Sequence, residues 1–242
     1  MPDVLAAFEA VSLTNIRLVD RVVAELSAAI LDGRLRNALP GEARLAGSFG
    51  VSKQVVREAL RQLSALGIVQ TGQGRATRVR IIDAEPLGRF WQFAAGNTAE
   101  GLAEAVELRR MLEPQVARLA AQRRDLAGME QLRKILGRME AAIGDTGAWI
   151  EADLDFHDQL GRLSGNRLVR LQVHGLRPVI QQVMLRFNAR ANRSGADLRE
   201  TWNRHARVVA AVERGDPDEA AAAMLAHFAA ADDAIAELFP RA

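Results

Sequence analysis

Four histidines and one carboxylate have the residue types and spacing for metal chemistry. The chain of 242 residues contains His157, His174, His205 and His227, and it has no cysteine. Asp153 precedes His157 by four residues on a predicted helix, so their side chains share a face. A carboxylate and three imidazoles can bind zinc, nickel or manganese and leave positions for water or another ligand. The competing interpretation is that these are ordinary core or surface histidines.

Composition excludes several classes of protein. Without cysteine there is no disulfide framework, thiolate zinc site or cysteine nucleophile. No apolar run approaches the roughly 18–20 residues of a membrane span, and the first ten residues show no basic region followed by an apolar stretch. We therefore expect a cytoplasmic protein with no membrane partner. The length suits two domains.

Basic residues are concentrated in the N-terminal third of the chain. Residues 17–80 carry eleven arginines and lysines against five acids, a net charge of +6 that leaves −4 for the rest. Such an asymmetry indicates a polyanionic partner, of which nucleic acid is the obvious candidate. The alternative is a solvated basic face with no partner.

Local signals in this segment predict a winged helix-turn-helix. The predicted elements are helices over 17–32, 42–48 and 52–66 and strands over 68–71 and 76–82. Ser52 is a good N-cap for the third helix. Gly50 allows the tight turn before it, because glycine adopts positive φ without a steric penalty.

This layout places the start of the third helix in the major groove of DNA. Its apolar residues form one stripe, and polar residues that suit base edges lie outside that stripe. The small basic wing suits a minor groove or phosphates. The candidate DNA-contacting residues are Lys53, Gln54 and Arg57 on the helix and Gln73, Gly74 and Arg75 in the wing. An ordinary helical hairpin with solvated charges is the competing interpretation.

Beyond Pro86 the pattern is helical throughout. The predicted helices cover about 87–95, 100–124, 128–143, 147–163, 167–190, 197–214 and 217–238. The expected fold class is therefore mainly α, with an N-terminal winged helix-turn-helix and a C-terminal all-α helical bundle. The expected organisation is an N-terminal extension over 1–16, a DNA-binding domain over 17–82, a linker over 83–97 and an all-helical domain over 98–238.

Three stretches of the first domain carry a family resemblance. They are residues 39–46 (LPGEARLA), 50–63 (GVSKQVVREALRQL) and 66–69 (LGIV). Together they resemble the winged helix of the GntR family of bacterial transcription regulators. The resemblance implies DNA contacts through Lys53 and Arg57, although lysine lacks the bidentate fork of the arginine usual at the first position. Ala43 stands at another family arginine, and the neighbouring Arg44 is the candidate to replace it.

The second domain resembles the all-helical effector domain of the FadR-type subgroup, the FCD domain. The matching stretches are residues 107–114, 117–121, 153–157, 164–168 and 220–227, together with the region around His205. In many members an aspartate, the histidine four residues later and two further histidines ligate a metal. These positions correspond to Asp153, His157, His205 and His227. Arg109 would then face the pocket and grip a carboxylate, or else form a structural ion pair with Glu113.

The two resemblances together imply a dimeric, DNA-binding transcription regulator, more often a repressor than an activator. Its affinity for a double-stranded operator would depend on a small organic acid bound at a zinc or nickel site, with manganese as a third candidate. One alternative keeps DNA binding and makes the metal structural, or the sensed signal itself. A remote alternative is a metal-dependent hydrolase with Glu151 or Asp155 as general base. We expect no enzyme and no catalytic residues.

Overall fold

A computed structural model describes residues 13–72, 75–191 and 194–230, apart from the side chains of residues 13–16, 75 and 189–191. Within these residues the chain is mostly α-helical and contains one two-stranded sheet. It divides into two compact units between Pro86 and Leu87. The predicted fold class is confirmed.

The elements follow the predicted order. The first unit contains α1 (Leu13–Leu31), α2 (Glu42–Phe49), α3 (Lys53–Ala65), β1 (Val69–Gly72) and β2 (Arg75–Val79). At the boundary lies α4 (Glu85–Ala95), which covers most of the segment predicted as a linker. The second unit contains α5 (Ala99–Arg123), α6 (Leu126–Ala141), α7 (Thr146–Leu163), α8 (Arg167–Ala191), α9 (Gly195–Arg214) and α10 (Pro217–Ala229). None of the helices described is both long and apolar enough to cross a lipid bilayer.

The first and last helices differ most from their predicted boundaries. The first helix already includes Leu13, so it begins before the predicted residue 17. Helix α10 ends at Ala229, and the predicted continuation over 231–238 lies outside the described residues.

The helix-turn-helix is built by two local features of the backbone. Gly50 ends α2 in the left-handed region, with φ of 64°, as its sequence position predicted. Ser52 then caps α3 by accepting a hydrogen bond from the Val55 amide at 3.3 Å. The turn orients α3 so that its apolar face is buried against α1 and α2. The buried residues of α3 are Val55, Val56, Ala59, Leu60 and Leu63.

The wing is stabilised by the segment around Asn37, which lies between α1 and α2. Strands β1 and β2 pair in antiparallel register, with Val69 opposite Val79. The Leu39 amide donates to the Thr77 carbonyl at 2.8 Å, and the Val79 amide donates to the Asn37 carbonyl at 2.7 Å. This extra pairing satisfies backbone groups on the free edge of β2.

Helix α5 is the central helix of the second unit, because it packs against α7, α8, α9 and α10. Its buried face carries Arg109 and Glu113 in addition to apolar residues. Helix α7 likewise buries Asp153 and His157. The bundle therefore brings several polar side chains into its interior, and these form the site described below.

We expect Leu63→Ala to lower the free energy of unfolding of the first unit by about 2–5 kcal/mol, because it leaves a cavity in a closed core. Leu63 is fully buried, whereas Leu66, on the same segment, is 59% exposed. Leu66→Ala is the matched control, with an expected change within about 0.5 kcal/mol. Denaturant unfolding of both variants measures the difference. Equal effects would contradict the described packing of α3.

Candidate metal centre and DNA-contacting surface

Three histidines from three helices meet inside the second unit. His157 comes from α7, His205 from α9 and His227 from α10, and one ligand atom of each lies within 4.8 Å of the others. The ring centroids of His205 and His227 are 4.3 Å apart. These three residues are far apart in the sequence, and the packing of the helices places them close enough for one ion to contact all three.

Asp153 completes the predicted set. Its carboxylate is buried one turn before His157, with Oδ1 3.1 Å from His205 Nε2 and Oδ2 3.7 Å from His157 Nε2. Burial acts to raise the pKa of this carboxyl, but its contacts with the imidazoles of His205 and His157 outweigh burial, so the pKa lies well below its usual value. Asp153 is therefore an anion among imidazoles.

The orientation of the His157 and His205 rings directs an acceptor nitrogen of each toward the carboxylate of Asp153. His205 Nδ1 donates to the Thr201 carbonyl at 2.8 Å, so the neutral ring presents a lone pair at Nε2. His157 Nδ1 is bonded in the same way to a carboxylate oxygen of Glu113. Both Nε2 atoms face Asp153, which can only accept hydrogen bonds when ionised. A positive ion between these atoms removes the repulsion.

The ring nitrogens at the centre of the cluster are buried and unpaired. Among the described residues, His157 Nε2, His205 Nε2 and His227 Nδ1 have no hydrogen-bond partner. Buried polar atoms rarely remain without one. Burial also lowers the pKa of His227 well below its usual value, which favours the neutral form that metals require. Imidazole nitrogens and a carboxylate are the donors that zinc and nickel accept, so the residues present fit such an ion.

Glu113 is the site residue that the sequence analysis missed. It is 2% exposed, and its carboxylate contacts Arg109 Nε with one oxygen and His157 Nδ1 with the other. Burial acts to raise the pKa of Glu113, but Arg109 and His157 lower it to about 2. A carboxylate behind a metal-ligating histidine fixes its tautomer and orientation. The sequence analysis named Glu113 only as an ion-pair partner of Arg109. Their spacing of four residues already placed both on one face of α5.

For Arg109 the sequence left open a place in the pocket or an ion pair with Glu113, and the structure shows both. Its Nε forms the ion pair with Glu113, while its Nη2 is buried and lacks a partner within the described part of the chain. The side chain also lines a cavity of about 120 Å³ next to Asp153 and His227. The ion pair therefore holds Arg109 in place and leaves one donor of its guanidinium free.

Three other candidates lie away from the cluster. His174 is half-exposed and has its Nδ1 2.7 Å from Asp158 Oδ2. The two carboxylates considered as general bases are both engaged by Arg177, at 2.6 Å for Glu151 and 2.8 Å for Asp155. Neither is placed to activate a water molecule among the histidines.

The predicted DNA-contacting side chains of the helix-turn-helix are exposed together. Lys53, Gln54 and Arg57 lie on the outer face of α3, and Arg44 is exposed on α2. Arg57 Nη2 lies 3.0 Å from a carboxylate oxygen of Glu42, which links the two helices. Because the pair is exposed, DNA phosphates or bases can replace Glu42 as the partner of Arg57 at little cost.

The wing candidates are only partly described. Gln73 and Gly74 lie outside the described residues, and Arg75 begins β2 without a described side chain. Strand β2 also carries Arg78, which is paired in register with Gln70 of β1. Basic residues therefore continue along the wing.

Comparison with known proteins identifies both units. Residues 18–79 match the gntR family of bacterial regulatory proteins, and residues 104–230 match the FCD domain. The chain belongs to the GntR family. Within it, the FCD domain places this regulator in the FadR-type subgroup. A GntR helix-turn-helix implies DNA binding, and an FCD domain implies a small-molecule effector.

Relatives of this GntR-family chain are named as regulators. It is 30% identical over 224 residues to the HTH-type transcriptional repressor NanR of Enterobacter sp. (strain 638), covering 89% of this chain and 84% of the relative. It is 29% identical to the HTH-type transcriptional regulator LutR of Bacillus subtilis (strain 168), covering 81% and 90%. The solved structure of a Streptococcus agalactiae GntR is similar, with a TM-score of 0.69, 26% identity, and coverage of 89% of this chain and 99% of that one. This chain is accordingly a transcription regulator and not an enzyme.

We expect Glu113→Gln to weaken zinc binding by about 10- to 100-fold, since the amide no longer orients His157 as a carboxylate does. Competition with a chromophoric chelator measures the affinity, and circular dichroism confirms that the variant is folded. Glu140→Gln is the matched control, because Glu140 is exposed and pairs with Arg199 rather than with a histidine. Unchanged zinc affinity in folded Glu113→Gln would contradict the role of this carboxylate.

Proposed function

We propose that this regulator is a cytoplasmic homodimeric repressor whose operator affinity depends on a small carboxylate bound beside a metal ion. The observation that carries the proposal is the buried set of acceptors around Asp153. Its carboxylate lies 3.1 Å from His205 Nε2, and that nitrogen has no hydrogen-bond partner among the residues described. The relative named as a repressor, NanR, supports the direction of regulation.

The metal would be held by Asp153, His157, His205 and His227, and zinc or nickel suits these donors best, with manganese as a third candidate. When bound, it supplies positive charge to which an effector carboxylate can bind. Arg109 adds an unpaired donor on the same cavity. A ligand that binds one arrangement of the bundle more tightly than another shifts the population toward it. That shift can change the spacing of the DNA-binding units.

The DNA contacts would come from Arg44, Lys53, Gln54 and Arg57 and from the wing residues Gln73, Gly74 and Arg75. A dimer presents two such units to two half-sites, so a pseudo-palindromic operator is expected. Arginine and lysine recognise guanine, and glutamine recognises adenine.

An alternative is supported by the ion pair between Arg109 and Glu113, which gives Arg109 a structural partner. In that case the metal is structural or is itself the signal. Operator affinity would then respond to the metal alone, and no carboxylate would alter it.

We expect gently purified, untagged protein to contain about one equivalent of a divalent transition metal per chain, because three imidazoles and a carboxylate are enough donors to hold one ion. Elemental analysis measures the content, and His205→Ala should lose the metal. His174→Ala is the control, because this histidine is half-exposed and lies outside the cluster. Absence of metal even after incubation with zinc or nickel would exclude the metal site and leave DNA binding unaffected.

We expect Arg57→Ala to weaken operator binding at least about tenfold, the effect of losing one good base contact. The operator is a duplex selected from a random pool by the wild-type protein, and fluorescence anisotropy measures the affinity. Arg133→Ala, which removes an exposed arginine of the second unit, is the charge-matched control. Wild-type binding should also fall steeply with salt. Equal affinity of Arg57→Ala and wild type would exclude the proposed docking of α3.

A further inference from the structure

The cavity beside the histidine cluster has walls of two kinds. Its volume is about 120 Å³. Helix α8 contributes only apolar side chains to it, namely Ile180, Val183, Met184 and Phe187. The other helices contribute the polar ones, namely Arg109, Trp149, Asp153, Thr201, Arg204 and His227, together with the apolar Val106 and Phe228. A ligand that fills this cavity therefore meets charged and polar groups on one set of helices and an apolar surface on α8.

Two buried donors that line this cavity have no acceptor. Trp149 is fully buried, and its Nε1 has no hydrogen-bond partner in the described part of the chain. Arg109 Nη2 is likewise buried and has no hydrogen-bond partner among the described residues. Trp149 lies one turn before Asp153 on α7, so it shares the face that points to the cluster. Both groups can only donate. The partner they lack is an acceptor, and a guanidinium favours a carboxylate.

The size of the cavity and the chemistry of α8 restrict the rest of the ligand. A cavity of about 150 Å³ lined by apolar side chains holds the six carbons of benzene, so this smaller one has room for a body of about four to five carbon atoms. Hydroxyl groups placed against α8 would lose their hydrogen bonds to water and gain none, which is unfavourable. The transfer of an apolar body from water to the same surface is favourable.

We propose that the effector is a short carboxylic acid with an apolar body of about four to five carbons, and that Trp149 determines this specificity. The carboxylate accepts hydrogen bonds from Trp149 Nε1 and Arg109 Nη2, and the body packs on Val183 and Met184 of α8. The inference rests on the proposed function, since it names the class of acid that the same site takes. It excludes polyhydroxy acids as effectors.

A chain-length series tests the apolar body. Isothermal titration calorimetry on the zinc-loaded, full-length protein compares acetate, butyrate, hexanoate and decanoate, with gluconate and hexanol as controls. Each methylene from acetate to hexanoate should tighten binding about fourfold, and decanoate should bind no tighter than hexanoate. Hexanol, which lacks the carboxylate, should bind far more weakly. Gluconate binding tighter than hexanoate, or affinity independent of chain length, would overturn the inference.

The substitution Trp149→Phe tests the donor, because it removes the N–H and keeps an aromatic ring. Hexanoate should bind at least about tenfold more weakly, as expected for a lost hydrogen bond to a charged group. Metal content should stay the same, and circular dichroism confirms that the variant is folded. Trp91→Phe is the matched control, because its Nε1 is also buried and without a partner among the described residues, but it lines a separate cavity with Leu108 and Leu176. An equal effect of both substitutions, or no effect of Trp149→Phe, would overturn the role of Trp149.

Operator binding measured with each acid tests the ligand class and the proposed function separately. Release of the operator by hexanoate supports both. Hexanoate that binds in the cavity without changing operator affinity overturns the proposed function and leaves the ligand class standing. Gluconate that binds and releases the operator overturns the ligand class and leaves the proposed function standing. Binding of no acid, to either zinc-loaded or metal-free protein, overturns both.

Discussion

The contact between Asp153 and the imidazoles of the bundle is the interaction on which the second unit depends. An ionised carboxylate inside a helical bundle is strongly unfavourable unless it is paired and hydrogen-bonded. Among the residues that the structure describes, the two buried carboxylates, Asp153 and Glu113, face a single buried guanidinium, that of Arg109, when the histidines are neutral. One negative charge is then uncompensated. A bound divalent cation more than compensates it and leaves a net positive charge, and for this reason we interpret the cluster as a binding site rather than as a stabilising ion pair.

The same constraint explains why polar residues lie on the central helix. Helix α5 packs against the three helices that carry the histidines, so Glu113 can contact His157 while Arg109 reaches the cavity. A closely packed core does not deform continuously, and a small shift at its centre moves whole helices. A ligand that enters the cavity therefore acts on several helices at once, which is what an effector of a DNA-binding protein requires.

The first unit is stabilised by apolar packing rather than by buried charges. Its core is apolar throughout, and its charge lies on the surface, where α3 presents Lys53 and Arg57. The ion pair of Arg57 with Glu42 keeps this arginine close to α2 in the absence of DNA. Surface pairs of this kind contribute little stability, so its importance is in orienting a side chain rather than in holding the fold.

The sequence alone determined the helical fold and the winged helix-turn-helix, because apolar periodicity, capping residues such as Ser52 and the turn at Gly50 are local signals. The family came from the resemblance of whole stretches such as residues 50–63. The sequence also named Asp153, His157, His205 and His227, through the resemblance to the FCD domain. Spacing could not choose between a metal site and ordinary histidines, since only Asp153 and His157 share a helix. Tertiary packing brought His205 and His227 to them, paired the segment around Asn37 with the wing, and set Glu113 behind His157. These contacts join residues distant in the chain, and their geometry depends on how whole helices pack, which no local pattern encodes.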